Sequence, residues 1–251
     1  MAASVYYARQ NPKFYPQRLY DESSTQKLPL GTKWDLADGR GFIYCKAASS
    51  GQPTGPGYLV QSAAPISTSY NLEVASAAAA GDDHIHVTHG NADVVANYYR
   101  EGYITHDYGT YKGEIYKISH HAAVDYSEST ALVVYLSDYV RKTIAAADDV
   151  SLVCHQCDNV ILAPATTATG VIIGVSPIAP TASYYFWVQY KGLCAVLVDN
   201  TTTLVIGEPV QAYGDVAGAC QVMIENEEIQ QIGQCLYIGA DNEMAIINLS
   251  I

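Results

Sequence analysis

Charged side chains make up only 15% of the 251 residues, well under the roughly 25% usual in soluble domains. That scarcity argues against a helix-rich fold with Glu- and Lys-laced faces, and a hydrophobic content of 49% argues against disorder. Basic residues are the scarcer sign. Thirteen Lys and Arg stand against 25 Asp and Glu, a net charge of −12, which makes a nucleic-acid or anionic-membrane partner a poor fit. No apolar run approaches the roughly 18 residues of a membrane span. The opening Met1-Ala2-Ala3-Ser4-Val5-Tyr6-Tyr7-Ala8-Arg9 lacks the basic start and apolar block of a secretory signal, so synthesis and assembly in a cytoplasm are expected. Phenylalanine is nearly missing, with 3 Phe against 21 Tyr. Tyrosine buries its ring and keeps its hydroxyl wet, which favours half-exposed strands and interfaces.

The signatures of several chemistries are missing as well. GxSxG, Walker A and GxGxxG do not occur, so acyl transfer, nucleotide hydrolysis and dinucleotide binding lack their motifs. His84 and His86 share one face of an alternating run, with His89 nearby and His120-His121 elsewhere. No carboxylate or Cys is spaced to complete a site, and no metal or other cofactor is expected. Cys154-His155-Gln156-Cys157 is a single CxxC at a strand end, without the second pair that structural zinc needs. The six cysteines lie scattered in apolar runs and read as buried, reduced thiols. Asp82-Asp83, Asp148-Asp149 and Glu225 with Glu227-Glu228 read as solvated turn residues. No catalytic constellation emerges, and the chain reads as non-enzymatic.

What is present is strand after strand. Short β segments are predicted at 41–46, 57–61, 84–88, 103–107, 114–119, 131–136 and 150–154, with Tyr108–Gly113 turning a hairpin. Seven more follow at 171–175, 184–190, 194–198, 204–206, 220–224, 234–238 and 244–249. Ala75–Ala80 could start a helix, but Gly81 stops it. No repeat stands out. The small, polar stretch 163–170 reads as a linker. The expected fold is all-β: an extended N-terminal arm over 1–40, then two small sandwich- or barrel-like domains over 41–163 and 164–251.

Charge is uneven along the chain. Arg9, Lys13, Arg18 and Lys27 outnumber Asp21 and Glu22 in the first 30 residues, whereas after Lys142 only Lys191 is basic. The first segment also carries Tyr6, Tyr7, Phe14, Tyr15 and Tyr20 among prolines, with neither helical nor strand periodicity. Two readings fit, a disordered leader and, preferred here, an arm that orders on a partner surface, anchored by Tyr6, Tyr7, Phe14, Tyr15 and Tyr20, with Arg9 and Arg18 pairing to that surface. Trp34 is expected to pack inside the first β domain and fix where the arm leaves it.

The segments Leu30-Gly31-Thr32-Lys33-Trp34-Asp35-Leu36-Ala37-Asp38-Gly39-Arg40, Phe42-Ile43-Tyr44-Cys45-Lys46-Ala47 and Gly57–Pro65 resemble the opening of tailed-bacteriophage capsid decoration, or cement, proteins. Tyr184-Tyr185-Phe186-Trp187-Val188-Gln189-Tyr190-Lys191-Gly192, then Ala195–Asp199 and Gly207-Glu208-Pro209-Val210, are similar to a later block of the same family. The resemblance implies a structural virion protein on the outer surface of a capsid. Its implied partners are the major capsid protein and its own copies, as a homotrimer. The Tyr- and Pro-rich first 30 residues have no counterpart in that pattern. Two rivals share the β-rich, Tyr-rich character: a tail-fibre or receptor-binding module that stacks on host glycans, and a virion hydrolase that digests a polysaccharide.

Overall fold

A computed structural model describes residues 15–89, 92–129, 131–199, 203–224 and 229–251 of the chain. The fold is all-β, and among the described residues the one helical element is a 3-10 turn at Ser67–Ser69. Three strands open the chain: β1 (Lys33–Asp35), β2 (Gly41–Lys46) and β3 (Tyr58–Gln61). Six follow: β4 (Leu72–Ser76), β5 (His84–Thr88), β6 (Tyr103–Tyr108), β7 (Ile115–His121), β8 (Ala131–Leu136) and β9 (Asp149–Val153). The last seven are β10 (Ile161–Leu162), β11 (Ile172–Ser176), β12 (Tyr185–Leu197), β13 (Pro209–Ala212), β14 (Cys220–Val222), β15 (Gln231–Tyr237) and β16 (Met244–Ser250).

The expected division at residue 163 is overturned. One compact unit is Met1–Ala64 together with Gln156–Ile251, and the other is Pro65–His155, inserted between those two legs. The physical reason lies in strand pairing. β3 from the first leg pairs antiparallel with both β10 and β11 from the second, and β2 pairs with β12. The supposed linker at 163–170 lies within this unit. Ala163 is buried and its N–H donates to the Leu59 carbonyl, while its own carbonyl accepts from Gly218.

The two-legged unit carries a ten-stranded sheet in the order β10-β3-β11-β12-β16-β15-β13-β14, with β2 also on β12 and β1 on β2. Strand β12 is long enough for two ladders. Tyr185–Lys191 run against β2, and Lys191–Leu197 run against β16. The changeover falls at Gly192, whose φ of +82° is in the left-handed region that a side chain disfavours. A Cβ there would sit 2.7 Å from the Gly39 carbonyl oxygen. One core packs Leu59, Val175, Val196, Val210, Ile232 and Ile247. The other packs Phe42, Tyr44, Phe186, Trp187 and Val188.

That second core also overturns the arm from Tyr15 onward. Leu19 and Leu30 are buried in it. Ser23 and Tyr185 exchange backbone hydrogen bonds of 3.0 and 2.8 Å, and Glu22 accepts from both the backbone and the hydroxyl of Thr181. Gln17, 5% exposed, donates through Nε2 to the Asp21 and Tyr185 carbonyls and accepts from the Tyr44 hydroxyl. Residues 15–40 are therefore integral to the unit and not an arm. Trp34 does pack there, on β1, with its ring 5.5 Å from that of Trp187.

The inserted unit is a closed antiparallel barrel, β4-β5-β8-β7-β6-β9. Its strands alternate as half-buried strands should: β5 points Ile85 and Val87 inward, and β8 points Leu132, Val134 and Leu136 inward. The alanine run forms no helix. Leu72–Ser76 is strand, and Ala78 makes a reciprocal backbone pair with Ile144.

Candidate functional site

Of the seven residues predicted to anchor the protein, Tyr6, Tyr7, Arg9 and Phe14 lie outside the described residues. Tyr15 is no surface anchor. Its ring packs 4.6 Å from Trp34 and 5.5 Å from Trp187, and its hydroxyl donates to the Lys33 carbonyl. Arg18 is exposed, and so is Tyr20, whose hydroxyl accepts from the Arg40 guanidinium at 3.3 Å. The described part of the segment thus presents Arg18 and Tyr20, on a surface held by the core beneath.

A broader surface was missed by sequence reasoning. Strand β16 buries Ala245, Ile247 and Leu249 and turns Met244, Ile246, Asn248 and Ser250 outward. Outward positions of a solvated antiparallel sheet are ordinarily polar, yet Met244 and Ile246 are not. Register places Ile246 beside Ala195 of β12 on one side and Tyr237 of β15 on the other, with Leu193 next to Asn248. A bulge between Cys235 and Tyr237 leaves both Leu236 and Tyr237 exposed, at 51% and 62%. Leu193, Ala195, Met244, Ile246, Leu236 and Tyr237 form an apolar face across three strands. The signal was present in Met244-Ala245-Ile246-Ile247, which is apolar on both faces of its strand. In sequence, 244–249 reads only as a short β segment.

The face ends at a shallow depression of about 660 Å³ lined by Lys191, Leu193, Asn248 and Ser250 among others. An open apolar sheet face can bury area against another surface; it has neither the concavity nor the convergent polar groups of a reaction site.

The barrel carries a second exposed cluster. Tyr108 and Tyr111 of the β6–β7 hairpin and Tyr139 of the β8–β9 loop are 66%, 46% and 64% exposed. Lys142 lies 5.9 Å over the Tyr111 ring, and Arg141 lies 4.4 Å over Tyr116 while pairing with Glu114. Such a mixture of tyrosines and cations offers ring faces and donors together.

The histidines separate into two groups. On the barrel's outside, His84, Tyr135 and His120 are cross-strand neighbours, and His86 lies against His84 with ring centroids 5.0 Å apart. Inside, the Tyr99 hydroxyl bonds Ser69 and His89, and the Tyr99 N–H donates to His121 Nε2 at 3.0 Å. Burial pushes the His121 pKa down, and its neighbours His89 and His120 add to that. Among the described residues no three His, Cys, Asp or Glu side chains converge as a metal site. The CxxC is divided by the fold, since Cys154 belongs to the barrel and Cys157 to the two-legged unit.

No protein family, curated protein or solved structure matches this chain.

Proposed function

We propose that this chain is a non-enzymatic structural protein of a tailed-phage virion, one that coats the capsid's outer surface and cements it as a homotrimer. The family resemblance of the sequence suggests that role. The observation that carries it is the apolar outer face of β12, β16 and β15, which suits docking on a broad protein surface. The shell protein is the occupant, and Arg18 and Tyr20 contribute at the other end of the unit's sequence. The test is binding to preassembled, undecorated shells, followed by cryo-electron microscopy. Ile246→Glu and Leu236→Glu should abolish coating while the circular dichroism spectrum stays that of a β protein. Normal coating by both variants, or a monomer at each shell position, would refute the respective part of the proposal.

A second reading, a module that recognises host-surface glycans, draws on the Tyr108, Tyr111, Tyr139 and Lys142 cluster of the barrel. It is favoured instead if the protein retains bacterial-surface polysaccharide, loses it on Tyr108→Ala with Tyr139→Ala, and ignores shells.

Among the described residues no helix is long and apolar enough to cross a membrane.

A further inference from the structure

Cys45 and Cys157 are far apart in sequence and adjacent in the fold. Cys45 is the fifth residue of β2, and Cys157 lies just after the chain re-enters the two-legged unit. Both are wholly buried in the same core. The flanking backbone holds the two segments in register: the Lys46 N–H donates to the Cys157 carbonyl, and the Val160 N–H donates to the Lys46 carbonyl, both at 2.9 Å. Inside that frame the Cys45 thiol donates to the Ile43 carbonyl at 3.7 Å, with the Cys157 side chain as its neighbour. Cys154, the nearer cysteine in sequence, instead directs its thiol at the Tyr98 carbonyl within the barrel.

We infer that Cys45 and Cys157 are a latent disulfide, a staple that closes when the protein meets a low-molecular-weight disulfide such as oxidised glutathione. In a transiently opened state one cysteine loses its proton, and its thiolate attacks a glutathione sulfur. That breaks the glutathione disulfide, forms a mixed disulfide and releases one glutathione thiol. The second cysteine then loses its proton and attacks the protein sulfur of the mixed disulfide, expelling the second glutathione as its thiol. The two cysteines together give up two electrons and two protons, and the oxidant takes them up. The product is a bond from the first leg of the unit to the second, across the whole inserted barrel.

Burial sets when this happens. It holds the Cys45 thiol well above its ordinary pKa, so little thiolate forms in the native state and the pair persists reduced in a reducing cytoplasm. Closure is accordingly slow and follows transfer to an oxidising medium. Once closed, the bond removes much of the freedom of the unfolded chain, because the closed loop carries the entire barrel. The inference does not depend on the docking reading above.

The test uses the full chain, incubated with oxidised glutathione at neutral pH, alkylated, and digested without reduction. Expected is a linked peptide pair containing Cys45 and Cys157, lighter by two hydrogens than its reduced parts. The oxidised protein should melt several degrees higher than the reduced one, lose that gain on dithiothreitol, and show no gain in Cys157→Ala. Cys154→Ala should form the link unchanged. Should Cys157→Ala fold poorly, the wild-type peptide map and melt decide alone. A Cys154–Cys157 link would overturn the inference. So would recovery of both thiols as alkylated after long oxidation, or a lower melting temperature for the linked form.

Discussion

Asp82 and Asp148 make the same contact in two places. Each carboxylate accepts the backbone N–H of the residue three before it, Ala79 at 2.7 Å and Ala145 at 2.9 Å. Each turn has its next-to-Asp residue in the left-handed region, Gly81 at φ +102° and Ala147 at φ +65°. The bridge residues that open the two turns, Ala78 and Ile144, bond each other reciprocally at 2.9 Å. The barrel thus repeats one local device, at a scale too short to register as a sequence repeat.

The two aspartates should nonetheless differ in weight. Asp148 also lies 3.1 Å from Nε2 of His106, whose side chain is almost wholly buried. Asp82→Ala should cost about 1 kcal/mol, as loss of a cap does. Asp148→Ala should cost about 2–3 kcal/mol, because a buried polar partner is left behind. Urea unfolding of both variants would decide, and equal costs would contradict the argument.

Acid should weaken the barrel through His121. Its Nε2 accepts from Tyr99 and its Nδ1 faces the Ala122 carbonyl at 2.8 Å, so the ring is neutral with its proton on Nδ1. Burial lowers the folded-state pKa, while the unfolded chain takes up its proton near the ordinary value of about 6.5. The unfolded state therefore binds more protons between the two values, and stability falls as pH drops through that window. Above it the contribution is constant. Melting curves from pH 8 to pH 5 should show this decline, and His121→Gln should flatten it. A slope as steep in His121→Gln as in the wild type would contradict this assignment.

Gln17 should be among the least replaceable residues of the first 40. Every polar atom of its amide is used inside the protein, and its backbone carbonyl accepts from the Trp187 indole at 3.3 Å. Gln17→Ala removes the acceptor of the buried Tyr44 O–H and the Nε2 donor to the Asp21 carbonyl, while the Tyr185 carbonyl keeps the Ser23 N–H, for a loss of about 1–3 kcal/mol. Deleting residues 1–29 should unfold the two-legged unit outright, readable as lost near-ultraviolet dichroism from Trp34 and Trp187. A folded deletion protein would return the segment to the status of an arm.

Gly192→Ala should test the changeover in β12. The substitution combines a left-handed backbone with a Cβ pressed on the Gly39 carbonyl and Arg40 Cα. A cost of about 2–4 kcal/mol is expected from strain and clash together. A neutral outcome in thermal denaturation would mean that the strand bends elsewhere.

Much of this architecture was legible in the residues. His84–Thr88 alternates cleanly and Ala131–Leu136 is one short apolar run, and the bounds of both match the sequence expectation. The segments 184–190 and 194–198 merge into one strand, because Lys191 and Gly192 continue the ladder that a turn signal would have ended. Leu72–Ser76 and Pro209–Ala212 escaped notice; the first borders an alanine run and the second begins with proline. The nested order of the units was out of reach, since pairing of β3 with β10 and β11 depends on contacts that no local pattern encodes. The candidate face was hidden for a related reason. An apolar residue reads the same whether it points into a core or out of a sheet, and only register distinguishes the two.

Gln61 and Ile161 are direct antiparallel partners, so the chain leaves for the barrel and returns from it at one point. On a ribosome this fixes an order of events. The first leg emerges with Phe42, Tyr44 and Leu59 uncovered and must wait through the synthesis of the whole barrel for β10, β11 and β12 to arrive. The barrel, complete once Val153 is out, can close first and alone. While it does so, the nascent first leg is a set of sticky half-strands without their mates. Chaperone demand should accordingly peak in the interval between residue 64 and residue 197, and a slowed ribosome in that interval should yield more aggregate than one slowed after it.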